Sequence, residues 1–407
     1  MNSFLPIALL LFAVTTSRPA ELTGKVVCGY QGWFTCPTDG ANRGWTHWGS
    51  GMDPKRPEKN PGRVGVDLWP DMSELTAAER YPTRFRKADG SAAEVFSSHN
   101  EATVLRHFRW MREYGIDGVF LQRFVVDLMT DPVTRAHRDQ VLAHCRKGAK
   151  AEGRALAVMY DLSGCDTRTV GRTIEDWREL RHSRQLTADA DYLRHQDRPL
   201  VGVWGIGFND RGYSLAACRE LVEALKADGC SVLLGLPTGW RGLHLDAVQD
   251  PELHAILRLA DIVSPWTVGR YGDAGGIRDH EHRFLKPDLE WCRKNRLAYL
   301  PVVFPGFSWH NLHGGQLNQI PRDRGRFLWS QFLAAKQAGA EMIYVAMFDE
   351  VDEGTAIFKC VNDVPVGAGA KFIGYEGLPS DYYLRLTGFG ARLLRGEITA
   401  TPVPPEE

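Results

Sequence analysis

Residues Ser214–Pro237 read SLAACRELVEALKADGCSVLLGLP. The first part, Ser214–Asp228, is amphipathic with a helical period, and Gly229 stands where a helix exit favours glycine. The second part, Ser231–Pro237, is an unbroken apolar run closed by a proline. A strand that is apolar on both faces is buried on both faces, as in a parallel sheet covered by helices. A helix, a short exit and a doubly buried strand make one unit of an α/β fold.

The unit recurs along the chain. Strands read near Lys25–Phe34, Asp117–Phe124, Ala155–Leu162, Arg198–Gly205, Ser231–Pro237, Asp261–Trp266, Ala298–Phe304 and Glu341–Phe348. Amphipathic segments lie at Glu101–Tyr114, Val133–Glu152, Ser214–Asp228, His280–Asn295 and Arg324–Ala338, with a last helix near Asp381–Arg395. The first interval between strand starts is 92 residues, and the later ones run from 30 to 43. Eight such units predict an α/β fold of the (β/α)8 TIM barrel type, a single domain over 21–398. A doubly wound open sheet is the alternative, but no G-x-G-x-x-G follows the first strand and there is no P-loop. The long first interval predicts an inserted loop, 35–99, rich in Gly, Pro and Trp. After strand 1 of a barrel it falls on the C-terminal face, where active sites are built. Residues 399–407, with three Pro and two Glu, read as a flexible tail.

Hydrophobic residues make up 43% and charged residues 24% of the 407, which excludes a largely disordered chain. Lys+Arg 49 against Asp+Glu 50 leaves a net charge of −1, so bulk charge gives no support to a nucleic-acid or anionic-membrane partner. Phe4–Val14 is an apolar run of 11 residues. That is too short to span a bilayer and fits the core of a signal peptide over 1–20, although no Lys or Arg precedes it. The reading is a secreted or periplasmic protein. No later run reaches ~18 apolar residues, so no membrane span is expected. The eight cysteines, at 28, 36, 145, 165, 218, 230, 292 and 360, form no C-x-x-C pair. Export would allow Cys28–Cys36 or Cys218–Cys230 to pair, and the sequence leaves this open.

Strand 8 ends Met347-Phe348-Asp349-Glu350-Val351-Asp352-Glu353-Gly354-Thr355. Four carboxylates within five residues repel one another, which a fold accepts for proton transfer, metal binding or cation capture. Two carboxylates beside aromatics suit glycoside hydrolysis, where one protonates the leaving oxygen and the other serves as nucleophile or base. Glu350 and Glu353 would face opposite sides of a straight strand. A turn after Glu350, eased by Gly354, would bring both into one cleft. Sugar rings stack on aromatic planes, and Trp33, Trp45, Trp48, Trp69, Trp204, Trp240, Trp266 and Trp309 gather at strand ends or in the first loop. For any single one of these, core packing is the better reading; the cluster is worth more than its members. Gln31, His47, Asp67, Arg123, Asp161, His310 and Asp349 complete the expected substrate-binding set. Arg123 and Asp161 have a second reading, as structural ions paired with each other. His280-Glu281-His282 is not H-E-x-x-H and reads as a solvated helix start.

Phe348-Asp349-Glu350-Val351-Asp352-Glu353-Gly354-Thr355-Ala356-Ile357 resembles the F-N-E-W-H-E-G-T-x-I signature of glycoside hydrolase family 99, the endo-α-mannosidases. Gly29-Tyr30-Gln31-Gly32-Trp33-Phe34, Gly44-Trp45-Thr46-His47-Trp48 and Asp67-Leu68-Trp69-Pro70-Asp71 resemble the opening of the secreted proteins grouped with families 71 and 99. The resemblance spans about residues 25–395. It implies a (β/α)8 barrel that cleaves internal α-mannosidic bonds with retention. It also implies Glu353 as general acid/base and Glu350 assisting at the sugar 2-hydroxyl, by way of a 1,2-anhydro sugar. Asp349, Val351 and Asp352 stand where the signature has Asn, Trp and His. Added negative charge beside Glu353 raises its pKa, as suits an acid.

The expectation is a monomeric, exported hydrolase of an α-linked polysaccharide or glycan, with no cofactor and no metal ion. Two other readings stay open. One is a carbohydrate-binding barrel without turnover. The other is a metal-dependent hydrolase built on Asp349, Glu350, Asp352 and Glu353.

Overall fold

Each apolar run becomes a strand, and the strands pair in parallel in a fixed cyclic order. The computed structural model describes residues 20–405 apart from 58 and 368, so the apolar run Phe4–Val14 and the expected signal segment lie outside the described residues. The strands are β1 Val26–Tyr30, β2 Gly118–Phe124, β3 Ala155–Asp161, β4 Arg198–Trp204, β5 Ser231–Leu236, β6 Ile262–Pro265, β7 in two pieces, Ala298–Tyr299 and Val302–Val303, and β8 Ile343–Val345. β1 pairs with β2 and β8, and pairing continues stepwise from β2 to β6. The first piece of β7 pairs with β6 and the second with β8, which closes the ring. Pro301 lies between the pieces and has no N–H for the ladder, but its carbonyl accepts from Tyr344 N–H at 2.9 Å. The fold is the expected (β/α)8 barrel.

The helices sit close to their predicted places, for example Glu101–Glu113, Pro132–Glu152, Leu215–Ala227, Arg326–Ala338 and Tyr382–Leu394. Pro132–Glu152 starts with Asp131 accepting the Thr134 N–H at 2.8 Å and proline in the first turn. The segment expected as one helix, His280–Asn295, begins earlier and is divided: Ala274–His280, a wider π-turn over Glu281–Leu285, then Lys286–Asn295. Pro287 cannot donate to the ladder, and widening the turn just before it is the local answer.

The insertion after β1 is ordered and carries an antiparallel hairpin, Tyr81–Arg86 with Ala92–Val95. It packs on the segment after β8, where the N–H groups of Asp67 and Leu68 donate to the Val351 carbonyl at 3.0 and 3.2 Å. The tail is tied at one point, since the Trp329 indole donates to the Thr401 carbonyl at 2.8 Å. All eight cysteines are buried as free thiols, so neither suggested pair forms a disulfide. No described helix is long and apolar enough to cross a membrane.

Candidate active site

Strand register aligns three cleft residues at the C-terminal edge of the barrel. Phe124 is level with Asp161, Asp161 with Trp204, and Trp204 with Gly235. A Cβ on Gly235 would stand 2.4 Å from the Trp204 ring, so only glycine leaves room for that indole. Side chains alternate across a strand, so Gln122, Phe124 and Asp161 face the barrel axis while Arg123 and Tyr160 face the helices.

After β8 the chain turns back on itself. The N–H groups of Thr355 and Ala356 donate to the Glu350 carbonyl at 3.2 and 3.1 Å. Gly354 takes φ 67, the left-handed conformation that glycine adopts without strain. This turn brings Glu350 and Glu353 to one cleft of about 440 Å³. The Ser308 N–H donates to the Glu353 carbonyl at 2.9 Å and pins the turn from the β7 side. Arg322 pins it from below, donating to the carbonyls of Gly354 and Ala356 at 2.8 and 2.6 Å. Its guanidinium lies against the rings of Tyr375 and Tyr383, 4.7 and 4.4 Å from their centres.

The two glutamates are held differently. Glu350 accepts from the Gln31 amide and from the Thr355 hydroxyl, each at 2.5 Å. Burial, then the charges of Glu353 and Asp352, push its carboxyl well up, while those two donors favour its ionised form. Glu353 is pushed up to about 8 by burial first and Asp352 second, against a hydrogen bond from the Trp309 indole. Neither carboxylate of such a pair ionises freely beside the other, so one proton is retained across neutral pH. Asp161, on the far wall, is raised to about 6 by burial, and accepts the Ser163 N–H at 2.7 Å.

Of the expected set, Gln31, Trp33, Asp161, Trp204, Trp266, Trp309, Glu350 and Glu353 line this cleft. Trp204 and Trp266 meet edge to face at 5.5 Å. Asp349 lies behind the wall, accepting the backbone N–H groups of Gln31 and Gly32 at 2.7 and 2.9 Å. Burial raises it to about 7. His47 is also behind the wall, stacked on Trp33 at 3.8 Å with Nδ1 3.2 Å from Asp352.

The remaining candidates are brought elsewhere. Trp48 and Trp69 are buried core residues whose indoles donate to the carbonyls of Phe96 and Glu94, each at 3.0 Å. Trp240 packs on Trp291 and donates to Asp288 at 3.1 Å. Trp45 packs against the core without reaching the cleft. Arg123 does not pair with Asp161. It faces outward, donating to Asp176 and Asp139, each at 2.7 Å. Asp67 is a staple, accepting from the Ser308 hydroxyl at 2.6 Å and from the N–H groups of His310 and Asn311 at 2.7 and 2.8 Å. His310 is the other half of that staple, and its ring lies 2.8 Å from the Gly315 carbonyl. The described residues, the four carboxylates after β8 included, hold no group of three or more His, Cys, Asp or Glu placed to bind one metal ion.

Phe208, Arg211, Arg270 and Tyr344 also line the cleft and were not among the candidates. Strand alternation within Ile343–Val345 was the available signal for Tyr344, whose hydroxyl accepts from the Gln122 amide at 3.1 Å. Arg211 carried no sequence signal; its guanidinium sits over Trp204 and Phe208, 5.5 and 5.0 Å from the ring centres.

No family model matches the sequence, and no curated protein matches it. Among solved structures, the GH99 endo-alpha-mannosidase from Bacteroides thetaiotaomicron superimposes with a TM-score of 0.67 at 15% identity, over 93% of this chain and 100% of that one. A GH99 endo-alpha-mannosidase from the same organism in complex with BIS-TRIS-Propane gives 0.65 at 15% identity, over 92% and 98%. A glycoside hydrolase-like protein gives 0.53 at 14% identity, over 81% and 95%. At such identities the likeness is one of fold. The family whose strand-8 motif this chain resembles is thus one whose architecture it shares.

Proposed function

We propose that this chain is an exported glycoside hydrolase that cleaves an α-linked polysaccharide or glycan, an α-mannan in first place, using Glu353 and Glu350. The observation that carries the reading is the convergence of both glutamates, each with a raised pKa, in one aromatic cleft at the C-terminal face of a barrel. Glu353 keeps its proton at neutral pH and gives it to the leaving glycosidic oxygen. Glu350 takes the proton of the sugar 2-hydroxyl as that oxygen closes on the anomeric carbon, and the glycosidic bond breaks. In the second half, the Glu353 carboxylate takes a proton from water, which attacks the anomeric carbon. The three-membered ring opens, and Glu350 returns its proton to O2. Protons balance over the cycle, the two displacements retain configuration, and the steps call on no cofactor.

Gln31 and Thr355 donate to Glu350, which aims it and favours its ionised form, and the Trp309 indole donates to Glu353 and aims it toward the leaving oxygen. Asp349, Val351 and Asp352 are buried and do not line the cleft, and the Asp352 charge acts on the pair from behind its wall, raising both glutamates. Product release from α-mannan, α-glucan and arabinoxylan, with the anomer identified by NMR, tests the reading. The expected result is product of retained configuration from α-mannan. Product from another polymer alone would overturn the mannan assignment, and inverted product would overturn the mechanism.

A further inference from the structure

A second cavity, of about 850 Å³, opens beside the catalytic cleft on the same face. The two share a wall. Arg270 lines both, and of the adjacent pair Asn209-Asp210, Asp210 faces the cleft and Asn209 the second cavity. Arg270 forms an ion pair with Asp246 at 2.7 Å. Asp246 is itself fixed by the N–H groups of Thr238 and Gly239 at 3.2 and 2.9 Å, so the shared wall is built and not a loose side chain.

Beyond that wall runs a row of rings. Tyr271 and His280 lie 4.8 Å apart, and His280 stacks on Phe284 at 5.4 Å and 21°. The Tyr271 hydroxyl donates to Gln331 at 3.0 Å, which locks the first ring. Burial pushes His280 down to about 4, so the row is uncharged at neutral pH. Leu245 adds an apolar side chain that is 61% exposed, on a left-handed backbone at φ 58. Asp273 and Asp279 stand around the same cavity. Apolar ring surface edged by fixed polar groups is the chemistry that meets a sugar, with C–H faces on the rings and hydroxyls on the rim. It is a poor match for a free charged ligand, because Arg270 and Arg283 are already paired with Asp246 and Asp279.

We infer that the second cavity is a distal subsite for the same glycan chain, which crosses Arg270 from the catalytic cleft and is gripped again by the Tyr271–His280–Phe284 row and Leu245. The inference rests on the proposed glycosidase reading and deepens it: the preferred substrate is a chain long enough to fill both cavities. Sugars far from the reacting bond then contribute binding energy that short substrates cannot use.

The test compares turnover of an α-linked manno-disaccharide with that of the corresponding octasaccharide, in wild type and in Leu245→Asp and Phe284→Ala. Leu245 is exposed, so its variant folds even if Phe284→Ala does not. The expected result is higher kcat/KM on the octasaccharide, reduced about three- to tenfold in each variant, with the disaccharide rate unchanged. Equal losses on both lengths, or no gain with length in wild type, would overturn the subsite. If neither sugar is turned over, the mannan assignment fails. Calorimetric affinities for the same two sugars then decide the subsite separately. A gain with length that the variants lose supports it, and no gain overturns it.

Discussion

Replacing Thr355 with valine removes one hydroxyl and nearly keeps the side chain's shape. That hydroxyl is fully buried and donates to Glu350 Oε2 at 2.5 Å, with the Gln31 amide on the other oxygen. A buried hydrogen bond to an ionised group is worth about 1.5–3 kcal/mol. The donor favours the charged form of Glu350, so its loss raises a carboxyl that burial and the charges of Glu353 and Asp352 already hold high. In the proposed chemistry Glu350 must be ionised and Glu353 protonated. Activity therefore rises with pH as the pair loses its first proton and falls as pH passes about 8, where Glu353 loses its own. Thr355→Val should move the lower limb to higher pH. It should lower kcat/KM on that limb about ten- to hundredfold, at 1.36 kcal/mol per decade. A pH–rate profile of product release from α-mannan measures this, with urea unfolding to establish that the variant is folded. A folded variant whose lower limb and rate both match wild type would refute the assignment of Glu350.

Trp309→Phe removes the donor that holds the Glu353 carboxyl down, so the upper limb should move to higher pH; an unmoved limb would separate Trp309 from Glu353. Arg322→Met leaves the Gly354 carbonyl without its buried donor and the Ala356 carbonyl with the Tyr375 hydroxyl, and should lower unfolding free energy by about 1–3 kcal/mol in urea, with reduced turnover as the glutamate turn loosens. Trp48→Ala should cost about 3–5 kcal/mol of stability with no selective loss of sugar affinity, because Trp48 is wholly in the core. Trp266→Ala should do the reverse, weakening affinity for a manno-oligosaccharide about tenfold at near-normal stability.

The barrel was legible because doubly buried parallel strands are continuous apolar runs, and a run such as Val232–Leu236 has few other uses in a soluble fold. The turn that unites Glu350 and Glu353 was legible because a carboxylate pair three residues apart needs a bend, and Gly354 stands beside it. What was not legible depended on contacts from far along the chain. Trp48 and Trp204 look alike in sequence. Yet one indole meets the Phe96 carbonyl in the core, while the other is placed by register beside Asp161 and a glycine on β5. Asp67 could not be told from a sugar ligand until Ser308 and Asn311 were seen closing on it. Arg123 is the exception, because strand alternation already set it on the face opposite Gln122 and Phe124.

The central claim is that Glu353 is the proton donor of a glycosidase. Its most direct test is α-mannan hydrolysis by wild type and Glu353→Gln, with calorimetric affinity for a manno-oligosaccharide measured on both. The account predicts product from wild type, none from the variant, and near-equal affinities. Undiminished hydrolysis by Glu353→Gln would contradict it.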